Sequence, residues 1–173
     1  MRDHLGEILW VFWGSIGWES NNTAELEGAI HCLLLMQSLS LTPSVIEGDS
    51  RIIVMMAKKL QQGQSVDRIT KNWRLEFRVE RLAELLERRP DCTFNHVRHK
   101  GNKVADILAN CEVKVDSSFE VVKWPPADRA DWMEQVTRAA GQDRECPSGA
   151  HLAPPPWLPA IPSQANDGND VHV

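Results

Sequence analysis

The chain has 173 residues, 42% of them hydrophobic and 25% charged, with a formal net charge of −5. That length suits one domain with a sizeable core, or one domain plus a tail, and the composition excludes a wholly disordered or fibrous chain. No apolar stretch approaches the roughly 20 residues that cross a bilayer, which excludes a membrane-spanning helix; net acidity at first also argues against a nucleic-acid binder.

In chain order, Leu5-Gly6-Glu7 reads as a turn and Ile8–Trp13, aromatic and β-branched, as a strand covered on both faces. Asp3 and Glu7 deny this apolar run the positive flank of a secretory signal. Asn22 is expected to cap a helix over about Thr23–Leu39, with Leu26, Ala29, Ile30, Leu33 and Leu34 on its apolar face. Ser44–Gly48 follows as a short strand. Asp49-Ser50 then opens a second helix that runs to about Leu60 and is broken by Gln61–Ser65. A third helix is predicted over Asp67–Arg89, with Leu75, Val79, Leu82 and Leu86 in register and Pro90 as its stop. Cys92–Arg98 reads as a strand and His99–Gly101 as a loop, and Asn102 caps a helix to about Ala109. This β-α-β-α-α-β-α order predicts a layered α/β domain with at least one parallel strand pair.

From about Pro125 the chain changes character. Eight of the ten prolines lie there, and Ala153–Pro159 favours polyproline II, which has no internal hydrogen bonds and builds no core. One short helix is expected at Asp128–Ala140, between Pro125-Pro126 and Gly141, and the end reads as disordered. Cys32, Cys92, Cys111 and Cys146 show no metal-ligand spacing and read as reduced thiols of an intracellular protein, nuclear or cytoplasmic.

Charge follows the same division. Residues 125–173 carry a net of −4, whereas residues 51–103 carry 13 Lys+Arg against 6 Asp+Glu, a net of +7. The acidity of the whole chain is therefore misleading, and the basic centre fits a polyanionic partner. Lys58, Lys59, Arg68, Lys71, Arg74, Arg78 and Arg81 are the candidate phosphate contacts; a solvated helix surface is the plainer reading of the same charges.

Three carboxylates stand at helix beginnings, and each has an innocent explanation. Glu25 lies at capping-box distance from Asn22, Asp49 is placed as an N-cap, and Asp106 sits in a first helical turn, where negative charge suits the macrodipole. Together they mean more, because helix starts that follow parallel strands gather at the carboxyl edge of the sheet, where sites form. Converging carboxylates need a positive charge among them, and all-oxygen ligands select a hard cation such as Mg²⁺ or Mn²⁺.

The segments Arg2-Asp3-His4-Leu5-Gly6, Asn21–Leu26, Ile46–Ser50 and His96–Asn110 resemble type 1 ribonuclease H, and within it the plant and retrotransposon-type, reverse-transcriptase-like domains. The resemblance covers about residues 1–115, and four motifs in the family order carry it. It implies a ribonuclease H-like mixed sheet flanked by helices over 1–115; by composition, residues 116–173 are expected as a connector, a short helix and a Pro-rich disordered tail. It also implies Mg²⁺-dependent endonucleolytic cleavage of the RNA strand of RNA–DNA hybrids. Glu25, Asp49 and Asp106 match three of the family's four metal-binding catalytic carboxylates. Asn21 and Asn22 match positions that hydrogen-bond the hybrid in its minor groove, and His99 is a loose match to a histidine that shuttles protons. His96 reads as a strand residue, and a zinc site on His96 and His99 lacks further ligands at sensible spacing.

One departure from the family pattern is as informative as the matches. The chain begins at the Arg-Asp-x-x-Gly turn, so the resemblance implies that the family's first strand, with its aspartate, and most of the second have no counterpart here. Weak Mg²⁺ binding and little hydrolysis are then expected. Ile8–Trp13 and Ser44–Gly48 would lose their usual neighbours, leaving Trp10, Phe12 and Trp13 on an open edge or making the two strands pair directly. Two other functions compete: a nucleic-acid-binding retroelement remnant that no longer cuts, and a protein-interaction piece using the Pro-rich tail and the amphipathic helix Asp67–Arg89.

Overall fold

The computed structural model describes residues 1–41, 44–110, 119–126 and 130–145, and shows a mixed α/β protein. Its elements are β1 (Trp10–Trp13), α1 (Asn21–Ser38), β2 (Ser44–Gly48), α2 (Arg51–Gln61), α3 (Val66–Ile69), α4 (Trp73–Arg88), β3 (Cys92–His96), a 3-10 turn (His99–Gly101), α5 (Lys103–Asn110), β4 (Glu120–Lys123) and α6 (Ala130–Glu145). The Pro-rich stretch, Cys111 and Cys146 lie outside the described residues.

The expected parallel pair is β2 with β3, in a register that sets Ile46 beside Phe94 and Gly48 beside His96. Among the described residues the four strands form two sheets of two. β1 pairs antiparallel with β4, Trp10 opposite Lys123 and Trp13 opposite Glu120. The direct pairing of Ile8–Trp13 with Ser44–Gly48 is thus corrected: the partner of β1 comes from residues 116–173, the stretch read as connector and tail. Alternation buries Val11 and Trp13, while Trp10 and Phe12 stay half-buried, so β1 is fully covered on one face only.

Several element boundaries differ from expectation for local reasons. Ser20, not Asn22, caps α1: its Oγ accepts from the Thr23 amide at 3.3 Å. Any of Ser20, Asn21 and Asn22 is a good cap by type, so composition leaves the start ambiguous. Ser50, not Asp49, caps α2. The single helix expected over Asp67–Arg89 is broken at residues 70–72, where Asn72 caps a new start by accepting from the Arg74 amide at 3.1 Å. The helix expected over Asp128–Ala140 runs instead from Ala130 to Glu145, through Gly141, which has open space around it.

Apolar side chains gather in two clusters. The larger is built from α1, α2 and α4 against β2 and β3, with Leu33, Leu82 and Phe94 among its most buried members. The stripe Leu75, Val79, Leu82 and Leu86 belongs to this core, so α4 offers no free apolar stripe of those residues to a partner. The smaller cluster joins Ile8, Val11 and Trp13 to Leu108 of α5 and to Val136 and Ala140 of α6.

One buried cation ties the larger cluster together. Arg89, only 8% exposed at its side chain, donates to the Leu41 carbonyl and, from Nε and Nη2, to Asp91 at 3.1 and 3.0 Å. Hydrogen bonding from Arg89 holds the Asp91 carboxyl below its usual range, against the opposing effect of burial. A carboxyl whose folded pKa is depressed stabilises the fold above its unfolded value, near 3.8 here, and loses that contribution as pH falls through the folded pKa. Thermal melts of wild type and Asp91→Asn are therefore expected to stand apart above the ordinary carboxyl value near 3.8 and to draw together as pH falls through the lowered folded value; parallel curves throughout would count against the pair.

Candidate active site

The parallel pair β2–β3 places the site. With Gly48 beside His96, both strands end at the same level, and the Val97 amide donates to the Gly48 carbonyl at 3.0 Å. Asp49 leaves the end of β2, and His99 lies on the 3-10 turn after β3. Because Ser50 caps α2, the Asp49 carboxylate is not spent on a helix start. Asn102 Nδ2 donates to its Oδ1 at 3.0 Å, and His99 Nδ1 lies 2.9 Å from its Oδ2. His96 Nε2 sits 3.1 Å from the Asp49 carbonyl and braces the same residue from the strand end.

Asp106 completes the group from the first turn of α5, its Oδ2 3.3 Å from His99 Nε2. One ligand atom from each of Asp49, His99 and Asp106 lies within 4.8 Å of the others. In its protonated form His99 donates to both carboxylates. These contacts, with Asp49 first and the Asp106 charge next, raise its pKa, although the side chain is 74% exposed.

The carboxylates feel one another. Burial pushes the Asp49 carboxyl up, but the hydrogen bonds from His99 and Asn102 outweigh it and the net direction is down. Asp106 is raised, by burial first and with a contribution from Asp49, while His99 opposes the rise. Glu25 is raised by burial and then by the charges of Asp49 and Asp106. Glu25 stands outside the 4.8 Å group, yet belongs to the same electrostatic neighbourhood. Its capping-box role is removed, because Ser20 caps α1. Asn21, one helical turn before Glu25, and Asn22 are exposed at the same helix start.

The donor set fits a hard divalent cation. Asp49, after β2, and Asp106, on α5, offer carboxylate oxygens to a shared space, and the repulsion between them calls for positive charge. His99 supplies that charge in part and is exposed enough to swing aside. Two residues of the site escape sequence reasoning. Asn102 has the type and place of a helix cap, yet its side chain serves Asp49. Asp143 falls in the expected connector, yet its carboxylate accepts from the Lys103 and Val104 amides at 2.8 and 3.3 Å. Among the basic candidates, Arg78 is engaged by Glu27 at 2.6 Å and Glu19 at 3.4 Å, and Arg81 by Glu84 at 2.8 Å. Lys58, Arg68, Lys71 and Arg74 remain exposed and Lys59 half-exposed.

The model of the reverse transcriptase-like family matches residues 1–111, nearly two thirds of the chain. No curated protein and no solved structure matches it.

Proposed function

Because the chain belongs to the reverse transcriptase-like family, a ribonuclease H-like family, we propose that it binds RNA–DNA hybrids across the Asp49–His99–Asp106 cluster and is built for metal-dependent hydrolysis of the RNA strand. The convergence of those three side chains within 4.8 Å, from the end of β2, the 3-10 turn and α5, is the observation that supports this reading. Asp49, Asp106 and Glu25 would hold Mg²⁺, or Mn²⁺ in its place. When bound, the cation supplies an activated water and stabilises the leaving oxygen.

The chain's own residues do the rest. Asn21 and Asn22 present side-chain amides at the start of α1, suited to hydroxyls and base edges in the minor groove of an A-form-like duplex. Asn102 fixes Asp49 by its Oδ1, while Oδ2 meets the exposed His99. His99, once released from the carboxylates, can carry a proton at Nε2.

Isothermal titration with Mg²⁺, together with binding and cleavage of a labelled hybrid, tests the reading. No measurable hybrid affinity at physiological salt would overturn it. Phosphate contacts release counterions, so log K should fall steeply with log salt. Replacing Lys71 and Arg74 by Ala should lower the slope by about one for each phosphate no longer neutralised, and weaken binding across all sequences alike. An unchanged slope would exclude those two residues from phosphate binding.

A further inference from the structure

We infer that Asp143 is a positioning residue for the candidate site: from α6 it fixes the start of α5 and so sets where Asp106 stands. The inference rests on the proposed reading of Asp106 as a metal ligand, and it concerns a helix beyond the residues that the family model matches.

The Asp143 side chain is 2% exposed. A buried carboxylate is costly unless its charge and lone pairs are met, and here Arg2 ion-pairs with Oδ2 while the amides of Lys103 and Val104 point at Oδ1 and Oδ2. Those two amides belong to the first turn of α5, whose N–H groups have no partner inside the helix. A local residue normally serves them. Asn102 is the residue in place to do so, and its side-chain amide is committed to Asp49. A carboxylate 40 residues away does the work instead, with negative charge at the positive end of the helix dipole.

Asp106 is three residues past Lys103, in the same turn. A shift of that turn would therefore change the 3.3 Å contact with His99 and the distance to Asp49. Helix α6 packs against both α5 and the 3-10 turn that carries His99, so one element braces two members of the cluster. The Asp143 charge also pushes the Asp106 carboxyl up, as the smallest of the causes acting on it. Partners that orient ligands from behind in this way commonly alter metal affinity about 10- to 100-fold when removed.

The test compares the full chain with Asp143→Ala and Asp143→Asn. Three readings are taken: amide hydrogen exchange along α5, the His99 ring resonances in metal-free protein, and Mn²⁺ affinity by electron paramagnetic resonance. Asp143→Ala is expected to speed exchange at Lys103 through Asp106 at least about 10-fold more than in α1 or α4. It should also move the His99 ring signals and weaken Mn²⁺ binding about 10- to 100-fold. Asp143→Asn keeps an oxygen for one amide and should recover part of each effect. Wild-type exchange and His99 signals in the variants would overturn the inference. So would a loss of protection spread evenly over the chain, the mark of a merely structural residue. If Asp143→Ala does not fold, Asp143→Asn decides by the same three readings. Should wild type bind no Mn²⁺ that Asp49→Asn removes, the metal reading fails; the exchange and His99 signals still judge the hold of Asp143 on α5.

Discussion

Asp49→Asn is expected to weaken divalent-cation binding by more than about 100-fold, the upper end of what loss of an indirect partner costs, because here a ligand oxygen itself loses its charge. Asn has nearly the same shape and can still meet Asn102, so the fold should hold. His99 loses its strongest partner, the 2.9 Å contact to Asp49 Oδ2. The raised pKa of His99 should therefore fall back toward the ordinary value near 6.5, visible as a downward shift of its ring titration by NMR. Hybrid binding should be spared or slightly strengthened, since one negative charge facing the phosphates is gone. Any metal-dependent cutting should disappear with the metal. An unchanged Mn²⁺ titration, or cleavage retained in the variant, would exclude Asp49 as a ligand.

Phe94→Ala is expected to cost the most stability. Its side chain is 2% exposed, the largest of the fully buried ones, and lies beside Ile46 in the register that also aligns Gly48 with His96. Truncating a buried Phe removes its transfer free energy and leaves a cavity, about 3–5 kcal/mol together. Total stability of natural domains is about 5–15 kcal/mol, so the variant would keep a small margin, with a midpoint lowered by roughly 10 °C or more. Phe77→Ala is the control. That ring is 76% exposed, and its removal should fall within about 0.5 kcal/mol of wild type. Urea melts of both variants decide the matter; equal losses would mean that the core is not where the contacts place it.

Legibility follows the range of the interactions. Strand Ser44–Gly48 and helices α1 and α2 are visible in the sequence because their apolar periods and caps are local; the strand bounds coincide and the helix bounds differ by one or two residues. Asp49 and Asp106 are visible because a carboxylate at a strand-to-helix junction leaves a local mark. The break at Thr70–Asn72 is hidden, since Leu75, Val79, Leu82 and Leu86 keep helical spacing on one side of it and nothing apolar contradicts a continuous helix on the other. β4 is four residues with weak alternation and takes its meaning from a partner more than a hundred residues earlier. Asp143 sits in a polar helix, and its bonds reach back 40 residues to Lys103 and 141 to Arg2; no local pattern announces such a residue. Asn102 has the type and place of a cap, and only the fold shows that Asp49 claims it.

The two apolar clusters give the site an unusual mechanical position. Asp49 is anchored through β2 in the larger cluster, and Asp106 through α5 in the smaller one. His99 spans the seam with a nitrogen toward each carboxylate. An ion shared by those carboxylates would therefore act as a rivet between two separately packed halves. Occupancy would then raise the stability of the folded chain with the concentration of the ion.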